Sequence, residues 1–122
     1  LAIVWLGEAY ALAGHFELAQ HYAMQAHERS QVNNEHGIHA WSLRLLGDIA
    51  SQRDSEAADL AESYYLQSLE QAARHNIQPL QALVYQSLTH LYETVEQSSR
   101  AQDARAKATE LFRVLGMPDW RS

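Results

Sequence analysis

Three carboxylates, seven histidines and a tryptophan–arginine pair are the groups in this 122-residue sequence whose types and spacing could do chemistry. Glu8, Asp48 and Glu93 fall on corresponding or adjacent faces of the first, third and fifth predicted helices. Two carboxylates held in a closed site can divide general acid and general base work. Spread along a broad face open to water, they are expected to form a polar binding surface instead. His36 and His39 lie three apart on one helical face beside Glu35. A catalytic zinc ion needs three protein ligands and an open position, and the spacing His-Glu-x-x-His is absent. His15, His21, His27, His75 and His90 are dispersed along the chain, so no metal site is expected. There is no cysteine, which removes thiolate nucleophiles, disulfides and cysteine-based zinc sites. Neither G-x-S-x-G nor the phosphate loop G-x-x-x-x-G-K-[ST] occurs. The sequence therefore predicts no catalytic residue and no cofactor.

The elements that must carry these groups repeat. Ile3-x-x-Leu6-Gly7-x-x-Tyr10 recurs as Leu43-x-x-Leu46-Gly47-x-x-Ala50 and as Tyr85-x-x-Leu88-Thr89-x-x-Tyr92, about forty residues apart. Each copy is followed at helical spacing by mostly small residues: Ala19, Ala23 and Ala26, then Ala61, Tyr65 and Ser68, then Ala101, Arg105 and Ala108. A repeat of this length reads as a stack of helix pairs, each burying its apolar face on the next. Leu6, Leu46 and Leu88 are expected at equivalent depth inside.

Six helices are predicted, over about residues 2–13, 16–30, 35–51, 55–74, 79–95 and 100–115. In the first, Ile3, Leu6 and Tyr10 form the inner stripe. Gly14 and Asn76 suit left-handed helix ends, Asn34 and Asp54 or Ser55 suit N-caps, and Pro79 suits a first helical position. Ser99 and Gln102 match a capping box. Gly116 and Pro118 stop the last helix, with Trp120 expected to fold back over its end. Short loops make consecutive helices antiparallel, and no linker divides the chain. One domain is expected, with units over about residues 1–33, 34–76 and 77–115 and a short tail. The second unit is about two residues longer than the others, around Gln52 to Glu56.

Composition narrows the partners. The net charge is −6, from 15 Asp and Glu against 9 Lys and Arg, with no basic run. Binding to nucleic acid or to anionic membrane is therefore not expected. No signal-peptide pattern and no apolar run of bilayer length is present, so a cytoplasmic location is expected. Residues 1–6 are apolar on every side of a helix, which suits burial all round. The chain is accordingly expected to be a piece of a longer protein whose preceding helix covers Val4 or Trp5.

These residues resemble the tetratricopeptide (TPR) repeat family. Leu6, Gly7, Tyr10, Gly14, Phe16, Ala19 and Ala26 match its pattern in the first unit, Leu46, Gly47, Ala61 and Tyr65 in the second, and Leu88, Tyr92, Ala101 and Ala108 in the third. Ala50, Thr89 and Glu96 depart from it. The segments at residues 41–49 and 61–69 and the ending from Leu111 to Trp120 look, more narrowly, like the C-terminal repeat regions of bacterial signalling proteins. Those proteins join cyclase or ATPase modules to such repeats. The resemblance implies an all-α, right-handed α-solenoid of three helix-turn-helix units.

The resemblance also implies a ligand groove along the first helix of each unit. Its face would be Val4, Glu8 and Ala11, then Trp41, Arg44, Asp48 and Ser51, then Leu83, Gln86, His90 and Glu93. Of these, Glu8, Trp41, Arg44, Asp48, Gln86, His90 and Glu93 are the candidate partner-binding residues. Trp41 could serve as a binding anchor or pack on a neighbouring repeat. Arg44 alone would face an anionic ligand, against Asp48 and Glu93, so a neutral or basic peptide suits the face better. The expected function is a non-catalytic interaction module binding a peptide, a helix or a neighbouring domain of its parent chain. Small-molecule sensing, with Trp41, Asp48 and Gln86 around a polar ligand, is the alternative. Self-association through the exposed first helix, as a homodimer, is a third reading.

Overall fold

A computed structural model describes residues 2–53 and 55–116 of the chain, the side chain of Ser55 excepted. The predicted features at Leu1, Asp54, Met117, Pro118 and Trp120 lie outside the described residues. Six α-helices follow one another: α1 (Ala2–Leu12), α2 (Phe16–Val32), α3 (His36–Arg53), α4 (Ala58–Arg74), α5 (Gln78–Thr94) and α6 (Ser98–Leu115). A 3₁₀ turn, Ser55–Ala57, precedes α4 and accounts for the extra length of the second unit. No strand occurs among the described residues.

Four of the junctions share one geometry. Gly14, Asn34, Asn76 and Glu96 have φ of 82°, 56°, 55° and 60°. The next residue in each case donates its amide to the carbonyl five residues back: His15 to Tyr10, Glu35 to Ser30, Ile77 to Ala72 and Gln97 to Tyr92, at 2.8–2.9 Å. This is the closure that a left-handed residue gives a helix end. The same four residues then accept the first amide bond of the following helix, from Ala19, His39, Gln81 and Ala101. One residue thus ends one helix and begins the next, which is why the turns are so short. It also corrects two expected caps. Asn34 takes the left-handed position rather than the N-cap, and Gln97, not Ser99, stands at the start of α6 without a side-chain cap bond.

The core follows the repeat. Val4, Ala11, Ala19, Ala23, Ala26, Leu45, Leu46 and Ile49 form one cluster across α1, α2 and α3. Ala40, Ala61, Tyr65, Ala72, Leu80, Val84, Leu88, Leu91 and Ala104 form a second across α3, α4, α5 and α6. Ala82, Ala108 and Phe112 join α5 to α6. Besides each helix touching its successor, α1 touches α3 and α3 touches α5, so the first helices of the units stand in a row.

Gly7 and Gly47 lie at close crossings. A Cβ on Gly7 would sit 2.7 Å from a Leu45 methyl, and one on Gly47 would sit 2.7 Å from the Tyr65 ring. Two expected depths are overturned. Leu46 and Leu88 are 1% and 3% exposed, but Leu6 is 42% exposed. Leu46 shares its cluster with the small residues of α2, and Leu88 with those of α4. Leu6 belongs to no core cluster, and among the described residues α1 packs on α2 and α3 alone. The buried stripe of α1 is instead Val4, Gly7 and Ala11, with Ile3 and Tyr10 half-buried. On α6, Ala104 is buried where Arg105 was expected, and Arg105 is exposed.

Candidate functional site

Arg44, near the middle of α3, ties together the three first helices. Its Nη1 lies 3.5 Å from Glu8 Oε1 on α1, and its Nη2 lies 3.8 Å from Asp48 Oδ2 one turn along α3. Its Nε donates to Ser87 Oγ on α5 at 3.4 Å. Residues 44 and 48 are four apart, so both project from one helical face. From behind, the buried Tyr65 of α4 donates its hydroxyl to Asp48 Oδ1 at 2.5 Å. That phenol is pushed far above its ordinary range, first by burial and then by the adjacent Asp48 carboxylate. It therefore stays protonated and donates to Asp48.

Glu8 is the least comfortable charge in the group. Burial raises its carboxyl above the usual range, the pull of Arg44 opposes this, and Asp48 adds to the rise. The geometry explains the balance. A single guanidinium serves two half-buried carboxylates, at distances longer than the 2.7–2.9 Å of a tight charge-assisted bond.

Beside the charges stands an aromatic pair. The Trp5 and Trp41 rings have centroids 5.9 Å apart and are tilted by 48°. Trp41 packs against both larger core clusters and also lines a cleft of about 410 Å³ with Trp5, Leu12, Leu83, Glu8, Arg44 and Asp48. Trp41, half-buried, thus packs on its neighbours and also borders the cleft. A second depression, of about 340 Å³, continues from Arg44, Asp48 and Gln52 past Ser51, Gln86, Ser87 and His90.

Of the sequence-predicted residues, Glu8, Trp41, Arg44 and Asp48 are brought together in the first cleft, and Gln86 and His90 line the adjoining one. Glu93 stands apart: Arg105 of α6 holds its Oε2 at 2.5 Å, twelve residues along the chain. Val4, which the repeat placed on the same face, is fully buried. Sequence reasoning missed Trp5, Leu12, Tyr65 and Ser87 as members of the site. Trp5 carried a signal, an aromatic residue one turn before Glu8, but its all-apolar surroundings read as core.

Four of the histidines pair elsewhere, as stacked rings. His27 and His39 have centroids 4.7 Å apart, and His36 and His75 4.1 Å. Among the described residues no three or more His, Asp or Glu side chains converge as a metal-binding group. No helix among them is long and apolar enough to cross a membrane. No family model and no curated protein matches this chain.

Proposed function

We propose that the chain is a non-catalytic interaction module of a larger signalling or regulatory protein. In this reading the three helix pairs wind as a right-handed TPR-type solenoid, and the row of first helices presents the cleft to a protein partner. The partner is a peptide, a helix or a neighbouring domain of the same parent chain. The observation that carries the proposal is the Trp5–Trp41 cleft with the Glu8–Arg44–Asp48 group in its floor, built from all three first helices. Aromatic and arginine side chains are the groups most often found as anchors of protein interfaces. Tyr65 and Ser87 fix the charged groups in place, so the surface is organised before a partner arrives.

Crosslinking or affinity capture with the intact chain should recover a partner that is lost on Trp41→Ala combined with Arg44→Ala. Retention of the same partner by a folded double variant would remove the cleft from the account. A small-molecule sensor is the second reading, favoured by a cleft volume within the range of ligand pockets. Small polar and aromatic compounds would then raise the melting temperature in a thermal-shift screen, because a ligand that binds only the folded state stabilises it by mass action.

A further inference from the structure

The chemistry of the cleft narrows the partner further, on the premise that the cleft is a binding site. Its walls are apolar and open: Trp5 is 51% and Leu12 84% exposed, with Leu83 half-buried beside them. Its floor carries two carboxylates, Glu8 and Asp48, and Arg44 is the single cation among the described residues that line it. Asp48 is served by the Tyr65 hydroxyl as well as by Arg44. For Glu8, Arg44 is the one cation within 4 Å among the described residues, and it is shared. Four other arginines are paired away from the cleft, Arg74 with Glu70, Arg100 with Glu62, Arg105 with Glu93 and Arg113 with Glu110, and Lys107 lies over Tyr85. The cleft thus holds one negative charge more than it neutralises, against two indole rings.

An apolar body with a cationic head complements this arrangement. Indole faces attract ammonium and guanidinium groups, and a half-desolvated carboxylate gains from a second cation. The second depression decides between a free amine and a chain. It extends the same surface past Ser51, Gln52 and His90, hydrogen-bonding side chains at which a peptide backbone can lie. We infer that the cleft takes a basic peptide segment, with an aliphatic or aromatic side chain seated against the Trp5–Trp41 pair and an adjacent lysine or arginine held by Glu8.

The probe is a random dodecapeptide library displayed on phage, selected on the intact 122-residue chain. Enriched peptides are then resynthesised with a fluorophore and titrated by anisotropy. The expected result is enrichment of a lysine or arginine next to a large apolar residue. Glu8→Gln should weaken these peptides by about tenfold, the order of a partly desolvated ion pair. Glu70→Gln, an equal change of net charge at an exposed residue paired with Arg74, should leave them unchanged. Trp5→Ala, at an exposed site, should abolish binding while the melting temperature stays close to wild type. Peptides that need Trp5 but are neutral or acidic and indifferent to Glu8→Gln would overturn the cationic inference and leave the cleft as a binding site. Peptides indifferent to Trp5→Ala, or no enrichment at all, would overturn the cleft itself. Agmatine competing as tightly as the peptide would overturn the peptide in favour of a small cation. Sedimentation showing a dimer that dissociates on Trp5→Ala would assign the cleft to a second copy instead.

Discussion

Gly47→Ala is the sharpest test of the packing. A Cβ at this position lies 2.7 Å from both Cδ1 and Cε1 of Tyr65 and 3.1 Å from its Cζ. The ring cannot simply swing aside. It is 2% exposed, clustered with Ala40, Ala61 and Leu88, and tethered by its hydroxyl to Asp48. Overpacking of this kind costs roughly 1–3 kcal/mol. Removing a glycine from a helix interior returns about 1 kcal/mol, so the variant should lose up to about 2 kcal/mol net. Gly37→Ala, in the first turn of the same helix, isolates the propensity gain. Its Cβ meets only the Ile77 Cδ1, at an ordinary 4.0 Å. The difference between the two variants is then the overpacking itself, a gap of roughly 5–10 °C in melting temperature for a domain of this size. Circular dichroism melts of both variants provide the measurement. Adding Tyr65→Leu to Gly47→Ala should recover about 1 kcal/mol or more relative to additivity, since the two residues touch. Gly47→Ala melting at or above Gly37→Ala would refute the close crossing of α3 and α4.

Leu46→Ala should cost about 2–5 kcal/mol, as for a buried core leucine, whereas Leu6→Ala, at a position 42% exposed, should cost less than half of that. Equal losses in urea titrations would contradict the exposure of Leu6. Glu96→Gly should stabilise the chain by up to about 1 kcal/mol, because a side chain at φ 60° bears a steric penalty that glycine escapes; a lower melting temperature would deny the left-handed turn between α5 and α6. Acid should weaken the fold through His27 and His39. Burial holds His27 below its ordinary 6.5, against the opposing pull of Glu28. Burial, then His27, then His36, does the same to His39. The unfolded chain therefore takes up these protons first as the pH falls. The neutral-state contribution is intact above 6.5 and declines as the pH drops through 6.5 toward the folded values. Melts between pH 7.5 and 5.5 should show the decline, and it should shrink in His27→Gln/His39→Gln.

What the sequence reveals of this fold is what local chemistry dictates. Apolar spacing locates all six helices to within two residues at nearly every end. Gly14 and Asn76 announce left-handed turns because few other residues adopt that backbone cheaply. Gly7 and Gly47 announce crossings because a missing side chain inside a helix needs a neighbour to justify it. Equivalence between repeats misleads where it stands in for a neighbour. Leu6 stands before Gly7 as Leu46 stands before Gly47, yet Leu6 is 42% exposed and Leu46 1%, because burial depends on which helices pack around a position and not on the letters beside it. The pairing of Glu93 was hidden in the sequence for a similar reason. Its partner, Arg105, comes from the second helix of its own unit, and only the packing of α5 on α6 brings the two together. Trp5 and Tyr65 were readable as apolar or inner residues, yet their places in the cleft depend on α3, which neither of them carries.

The polar floor of the cleft is the part of the molecule that stability alone does not explain. Charges taken partly out of water must recover their hydration from good partners, and apolar residues of similar volume often hold helices together as well or better. Leucines at positions 8, 44 and 48 would join α1, α3 and α5 without the long contacts that Arg44 makes to Glu8 and Asp48. Burial works against the ionised form of Glu8 as things stand. The exposed faces of Trp5 and Leu12 add apolar surface left in water next to the same charges. Both departures from a stable packing solution meet in one cleft, and each is relieved by an occupant with an apolar body and a positive head. Their coincidence, more than the cleft's volume, is the reason to assign this surface to recognition.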